Sequence, residues 1–549
     1  MNRLLAGLFV LTLLLAATPE IAQAQTFPTP DYWRTIALRP AAPSQLPQPE
    51  GLKDFVVEGK LRLGLADAIR LVLLNNTEVQ INRLNYEGAR FSILRAYAPF
   101  DPLGTASFNA RRSTTPTASQ IDGAPTLSSL GQNTSFSFSQ LLQTGTAYNI
   151  QFNASRDTTN SVFATFNPSL FTSMNFTVQQ PLLRNRGLFP NRAPIVIARR
   201  NLRTSHANFE TQVSDAVQRA VNQYWAVVQA RENLKVQQRA LELSEATYAR
   251  NKRELELGAI PPHDIYRSES QVATRRVQVI QAEYDLKQIE DDFRRTIGAD
   301  LDDFIRALDL DLTESPQTLS EEPVLDATQA LERAMARRPE LEAARQQLAN
   351  DDDGIRLAHN SLQPDLNLSG FYQSSGRGGN EIDTSVQPPV VVDPGGLSDA
   401  LGQLGRFDFP SYGFTVSLRL PIRNRNAEAE MGNALVAKRR SLYQMRQREQ
   451  AVLLEVRNAV HELEKAKLSV AASRIARDLS QKNLEAETRK YELGVTTIFF
   501  VLDAQTQLAN AEVALVQAEI SYQRALTGLH RATGDILEAH SVQIQEVKP

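Results

Sequence analysis

ELGAIPPHDIYRSESQVATRRVQVIQAEYDLKQ, Glu256 to Gln288, and ELGVTTIFFVLDAQTQLANAEVALVQAEISYQR, Glu492 to Arg524, are two versions of one stretch. They align without a gap at an offset of 236 residues (492 − 256): Glu256, Leu257, Gly258, Gln271, Ala273, Val277, Gln281, Ala282 and Glu283 recur as Glu492, Leu493, Gly494, Gln507, Ala509, Val513, Gln517, Ala518 and Glu519. Farther on, Arg295 and Gly298 recur as Arg531 and Gly534. Each copy reads as a helix stop at Leu-Gly, a short turn and a new helix. In the first copy Pro261-Pro262 supplies a rigid re-entry, because proline is tolerated at the first helical position. A repeat of this length makes one pseudo-symmetric unit with two equivalent halves more economical than a row of unrelated domains.

Upstream of each turn lies a very long helical pattern, Pro190 to Leu257 and Arg425 to Leu493, each about 100 Å at the helical rise. Apolar or small residues follow a three-then-four spacing, Phe209, Val213, Ala216, Ala220, Tyr224 and Val227 in one, Leu442, Met445, Val452, Val456, Val460, Leu463 and Val470 in the other. That spacing is a coiled-coil seam. With the return helices to Gly298 and Gly534, each half becomes a helical hairpin.

Before each hairpin the period changes from helix to strand. Tyr148, Ile150, Phe152 and Ala154 alternate with Asn149, Gln151, Asn153 and Ser155, and Met174, Phe176 and Val178 alternate with Ser173, Asn175, Thr177 and Gln179. The second half shows Leu366 and Leu368 against Asn367 and Ser369, then Tyr412, Phe414, Val416, Leu418 and Leu420 against Gly413, Thr415, Ser417 and Arg419. One greasy and one polar face suit a soluble sandwich or a membrane barrel. Three features favour the barrel. The strands reach the roughly 9 to 11 tilted residues that cross a bilayer; their polar faces carry the Asn, Gln, Ser and Thr of a watery lumen; and the connections Ser113–Gln132 and Gly376–Phe409 read as long outward loops. Both strand sets leave by a proline signature, Gln180-Pro181 to Arg186 and Leu420-Pro421 to Arg425, where proline is expected to end the ladder. Asn133–Leu142 and Tyr148–Ala154, joined by Gln143-Thr144-Gly145-Thr146, offer the first half an extra hairpin, leaving four or six strands per chain open.

Each half begins with a helical stripe, Leu65–Ala98 and Asp326–Leu362, interrupted at Asn75-Asn76 and at Pro339. The first 24 residues carry Arg3, an apolar run and Ala22-Gln23-Ala24, the pattern of a signal peptide. Residues 25–62 form a proline-rich arm. The halves are then residues 63–299, with strands within 103–181 and a hairpin over 190–298, and residues 326–534, with strands within 364–421 and a hairpin over 425–534. An acidic linker, 300–325, joins them, and 535–549 form a tail.

Composition limits the chemistry. Of 549 residues, 59 are basic and 62 acidic, and the net charge of −3 advertises no nucleic acid partner. There is no cysteine, so disulfides, thiolate metal sites and a lipid-bearing cysteine are excluded. The six histidines show no metal-ligand spacing, and no phosphate loop, nucleophile elbow or carboxylate constellation occurs. No enzyme, cofactor or metal is expected.

Taken together, the two-fold repeat, the proline exits and the Leu-Gly turns resemble the TolC-like outer-membrane efflux protein family over roughly Leu63 to Gly534. The resemblance implies a mixed membrane α/β fold with two pseudo-repeats per chain. It implies a homotrimer whose β-barrel sits in the lipid of a Gram-negative outer membrane, continuous with a long α-helical coiled-coil barrel in the periplasm. The implied partners are a periplasmic membrane-fusion adaptor and an inner-membrane pump of RND or ABC type. Oligomerisation also follows from physics, since four strands cannot close a barrel whose practical minimum is about eight; three chains of four would supply twelve.

At the tip the resemblance implies an aperture of Asp264, Tyr491, Thr496, Phe499, Phe500 and Asp503, with Asp264 bonding Tyr491, and an adaptor-docking surface of Leu257, Gly258, Ala259, Leu493, Gly494 and Val495. An acidic residue in the first turn of a helix, as at Asp264, is also favoured by the helix dipole whatever its function. The family's second acidic position is Phe500 here and its arginine is Thr496, so aromatic packing joins charge at this mouth and Arg267 is the residue left to replace that arginine. Two functions stay open: an exit duct for efflux or type I secretion, and a non-conducting coiled-coil stalk between envelope layers.

Overall fold

The computed structural model describes residues 49–117, 125–257, 261–315, 326–386 and 390–544. Everything below concerns the unit Glu50–Pro549. The signal peptide expected at 1–24, residues 25–48 of the arm, Gly258 and Ala259 of the docking surface, and 316–325 of the linker lie outside the described residues.

In chain order, strands β1 (Val56–Val57) and β2 (Lys60–Leu63) precede helices α1 (Leu65–Asn75) and α2 (Thr77–Tyr97). Four strands follow, β3 (Leu103–Pro116), β4 (Thr126–Leu141), β5 (Ala147–Thr159) and β6 (Phe166–Pro181), then α3 (Leu188–Glu256) and its return α4 (Pro262–Ile297). The short helix α5 (Asp303–Arg306) and strand β7 (Asp309–Leu312) lead to the second half. That half holds α6 (Ala327–Arg337), α7 (Pro339–Ser361), β8 (Asp365–Asp383), β9 (Val390–Asp393), α8 (Leu397–Arg406), β10 (Phe409–Arg419), α9 (Arg425–Glu492), α10 (Ile498–Thr533) and α11 (Ile536–Ala539).

Each helix break has a local cause. The Asn76 side chain accepts hydrogen bonds from the backbone N–H groups of Glu78 and Val79 at 3.0 and 3.3 Å, so it caps α2 instead of continuing α1. Pro339 lacks the N–H that a continuous α6–α7 helix would need, and it opens α7. The long helices run 69 and 68 residues. Val213, Ala216, Ala220, Tyr224 and Val227 of α3, and Val452, Val456, Val460, Leu463 and Val470 of α9, are buried against their return helices and the broken helices, whereas Leu442 stays exposed in the single chain.

The strands form one antiparallel sheet in the order β10-β8-β6-β5-β4-β3, with β9 on β8. Register keeps like side chains in the same face: Phe136↔Phe152, Phe152↔Met174, Phe176↔Tyr372 and Tyr372↔Tyr412 line one, and Ser135↔Asn153, Asn153↔Ser173 and Ser173↔Ser375 the other. Among the described residues there are six long strands, four from the first half and two from the second, which answers the open count of four or six. The tight turn between β4 and β5 is closed by Leu142 N–H donating to Thr146 O at 2.7 Å.

Four expectations are corrected. The described residues of Ser113–Gln132 are mostly ladder, since Ser113 pairs with Ser129 and Ala110 with Gln132. Gly376–Phe409 likewise carries the end of β8, then β9 and α8. Above an apolar belt both faces of a strand are polar, so hydropathy alternation vanishes while the backbone ladder continues. Residues 50–62 are not arm: Leu52 and Leu61 are buried, and β2 pairs in parallel with β7, Leu61↔Leu310 and Leu63↔Leu312, so part of the linker is sheet as well. Pro181 does not end its ladder, because Leu182 N–H still donates to Leu366 O at 2.7 Å; Pro421 lies two residues beyond the end of β10.

α8 packs on the apolar face of the sheet. Ala400 and Leu404 are buried there, with Thr172 Oγ1 donating to Ala400 O at 3.0 Å and Ser374 Oγ to Leu404 O at 3.1 Å. The approach depends on Gly376, where a Cβ would stand 2.0 Å from Ala400 O.

Candidate functional site at the helix tips

No described helix is long and apolar enough to cross a membrane. On the apolar face of the sheet Phe108, Phe136, Tyr412, Phe414, Val416 and Leu418 are exposed in the single chain. Opposite them, Asn133, Ser135, Asn153, Ser155, Asn175, Gln373 and Thr415 make a polar lining. Helices α3 and α9 carry the chain about 100 Å from this sheet to two turns.

At the first turn α3 ends on Leu257, which is exposed, and α4 restarts after Pro261 in an extended conformation. Asp264 N–H donates to Pro261 O at 3.1 Å, placing Asp264 in the first turn of α4; its side chain lies 3.4 Å from His263 Nε2. At the second turn Gly494 adopts φ 70°, a left-handed geometry that lets Gly494 N–H donate to Tyr491 O at 3.0 Å and Val495 N–H to Lys490 O at 3.0 Å. Leu493 and Val495 are exposed, so three apolar side chains of the expected docking surface, Leu257 included, face outward. Thr496 is half-buried, and Ile498, Val501, Leu502 and Leu508 anchor the start of α10 in a small core with Leu484 and Tyr491.

A polar network ties the hairpins together just above the turns. Tyr491 Oη donates to Glu254 Oε2 at 2.8 Å and lies 3.4 Å from Asn251 Oδ1. The fully buried Asn251 donates through Nδ2 to Ser268 Oγ at 2.6 Å, and Ser268 Oγ donates to the Asp264 carbonyl at 3.2 Å. Arg250 donates to Glu254 at 2.9 Å and to Glu492 at 3.2 Å, and its guanidinium sits 5.4 Å from the Tyr491 ring. Tyr491 is therefore fixed by Glu254 and Asn251, while the Asp264 carboxylate, expected to bond it, acts on it only through its charge. Burial, and then the Glu254 carboxylate, push the Tyr491 phenol up to about 12. Its hydrogen bond to Glu254, against the cost of burial, raises Arg250 further.

A second row lies higher. Gln505 Nε2 donates to Thr247 Oγ1 at 3.0 Å, and Gln271 and Arg275 donate to Thr506 Oγ1 at 3.1 and 3.0 Å. Arg275 is buried, and desolvation lowers its pKa.

The residues expected at an aperture divide into two groups. Phe499 and Phe500 stack edge to face at 5.4 Å, both about half exposed, and the Arg267 guanidinium covers Phe499 at 5.3 Å. Arg267 thus joins the hairpins through an aromatic ring within the chain. Asp503 is exposed and accepts from Gln507 Nε2 at 2.7 Å.

Sequence reasoning missed Arg250, Asn251, Glu254, Ser268, Arg275 and Thr506. A signal was present: at the 236-residue offset Arg250, Asn251 and Glu254 face Ala486, Glu487 and Lys490, so the network occupies positions where the repeats have diverged. The same offset sets Arg267 against Asp503 and Asp264 against Phe500.

Residues 149–299 and 330–535 match the sequence profile described as "Outer membrane efflux protein". A 215-residue stretch is 26% identical to the pyoverdine export outer membrane protein OpmQ of Pseudomonas putida, covering 38% of this chain and 39% of that relative's length. The chain also shares its fold with the CmeC outer membrane channel of Campylobacter jejuni (15% identity, 90% of this chain and 91% of that one, TM-score 0.61). The same holds for the open-state MtrE outer membrane channel of Neisseria gonorrhoeae (18% identity, 90% and 98%, TM-score 0.58).

Proposed function

This chain belongs to the outer membrane efflux protein family, and on that footing we propose that it is the exit duct of a tripartite efflux or type I secretion system. Three copies conduct substrate passively from a periplasmic adaptor and an inner-membrane pump to the outside. The observation that carries this reading is the pairing of a two-faced sheet, apolar on one side and lined by Asn, Gln, Ser and Thr on the other, with two hairpins about 100 Å long in the same chain. A stalk needs the hairpins but has no use for a polar lining.

The tip is the gate in this reading. Phe499, Phe500 and Asp503 of each copy face the mouth, and the network around Tyr491 holds α3, α4 and α9 in the closed position. The exposed Leu257, Leu493 and Val495 meet the adaptor. Near the turns the two hairpins of one chain are tied by hydrogen bonds and an ion pair, Tyr491 to Glu254 and Arg250 to Glu492, and higher up α3 and α10 share the core around Ile520, so opening breaks the polar ties at the tip and leaves that core as the hinge.

The test is planar-bilayer recording of the purified protein. A low resting conductance that rises severalfold in the double variant Arg250→Ala/Tyr491→Phe is expected. A folded oligomer that never conducts, in the wild type or in any tip variant, would establish the stalk instead.

A further inference from the structure

We infer that the hairpin β3–β4 is part of the barrel wall and that β3 of one copy pairs with β10 of the next, so that the closed barrel has eighteen strands (3 × 6) and not twelve. The inference rests on the three-copy reading above for the total, but the pairing of the edges stands on the geometry of one chain.

β5, the strand that would be an edge in a four-strand contribution, has no free side: it pairs with β6 from Ala147↔Gln179 to Asp157↔Ser169, and with β4 from Leu141↔Ala147 to Ser129↔Thr159. Both faces continue across the added hairpin. On the polar side Thr105 Oγ1 bonds Ser137 Oγ and Ser107 Oγ bonds Ser135 Oγ, each at 2.7 Å. On the apolar side Phe136 stacks on Phe152 at 6.3 Å, and Phe138 meets Tyr148 at 6.1 Å. A hairpin folded away from the wall would have no reason to keep this two-sided pattern.

Among the described residues the free edges are β3 and β10, 14 and 11 residues long, each enough to cross a bilayer. An open edge in hydrocarbon leaves backbone N–H and C=O groups without partners, which lipid cannot supply. β10 cannot reach β3 within the chain, because six strands are below the number that closes. Six is even and every neighbour pair is antiparallel, so β10 and the β3 of an adjacent copy run in opposite directions and form an ordinary antiparallel ladder. Since diameter grows with strand number, eighteen strands give a mouth half again as wide as twelve, in the range of the water-filled porins.

The chain has no cysteine, so paired cysteines report cleanly. Thr415→Cys on β10 is combined in turn with Thr105→Cys, Ser107→Cys and Asn109→Cys on β3, and with Gln151→Cys on β5. All are on the polar face, and all are treated in native membranes with a short bismaleimide that spans one strand spacing of about 5 Å but not three. At least one β3 pair is expected to convert monomer into a covalent ladder ending at three copies, with the β5 pair silent. Linkage through β5 with silence through β3 would overturn the inference and leave the trimer standing. A β3-linked ladder ending at another number would overturn the trimer and keep the edge pairing. Folded, heat-modifiable protein that links through neither pair would overturn the edge pairing outright.

Discussion

Tyr491 and Asp503 sit about three helical turns apart in sequence yet do opposite work. Tyr491 is held by Glu254 and, more loosely, by Asn251, and a buried Asn251 left with an unmatched oxygen costs on the order of 1–3 kcal/mol. Tyr491→Phe is therefore expected to loosen the tip by about 1 kcal/mol, read as a several-fold rise in open-channel events. The phenol is raised in the folded state to about 12 from its ordinary 10.0, so its stabilising contribution is complete below pH 10 and is lost as pH rises towards 12. Wild-type tip opening should accordingly increase over that alkaline window, followed by tyrosinate absorbance, and the increase should be absent in Tyr491→Phe. Among the described residues Asp503 bonds only its own helix neighbour Gln507, and it is exposed, so removing it costs little packing. In the proposed trimer three copies of Asp503 around the axis would concentrate cations; Asp503→Ala should weaken block by multivalent cations with the oligomer intact, and unchanged block would remove Asp503 from the mouth.

At the scale of elements, the two halves repeat their helices but not their fastenings. Arg295 of α4 and its counterpart Arg531 of α10 match in sequence, yet Arg295 points outward near Asp292 at 3.8 Å. Arg531 is 11% exposed and grips Asp215 of α3 at 2.6 Å and Glu340 of α7 at 3.0 Å. Burial alone would raise Glu340, but its own backbone N–H, Arg531 and Arg338 outweigh it and leave the carboxyl below its ordinary 4.5. The depressed carboxylate stabilises the fold above pH 4.5, and that contribution disappears as pH falls through the lower folded value. Arg531→Ala should cost about 2 kcal/mol at neutral pH, between an exposed and a fully buried pair. It should also flatten the acid limb of a melting-temperature profile over pH 3–6. Nothing in the repeated sequence distinguishes the two arginines; the difference comes from the neighbours that Asp215 and Glu340 bring from distant parts of the chain.

At the scale of the molecule, the sheet's two faces make a paired expectation. Phe414 is 77% exposed on the apolar face and Thr415 is next to it on the polar one. Phe414→Arg at the lipid face should cost about 2–4 kcal/mol at mid-bilayer and deplete the protein from the membrane fraction, whereas Thr415→Arg should insert normally and shift ion selectivity towards anions. Equal insertion of both would place neither face in lipid. The duplication, the long helices, the proline and asparagine breaks and the alternating belts were legible in the chain itself, because periodicity, caps and turn residues act through neighbours within a few positions. Strand number was not: the end of β3 from Arg111 to Pro116 and the end of β8 from Gly376 to Glu381 carry no apolar alternation, and only ladder partners drawn from elsewhere make them strands. The same holds for the Leu61↔Leu310 pairing, the seat of α8 on Gly376, and Tyr491's choice of Glu254 over Asp264. Sequence determined which segments are helices and which face of a strand is greasy. Tertiary structure decided how many strands stand side by side and which polar groups meet, because those contacts join residues hundreds of positions apart whose match is written in geometry alone.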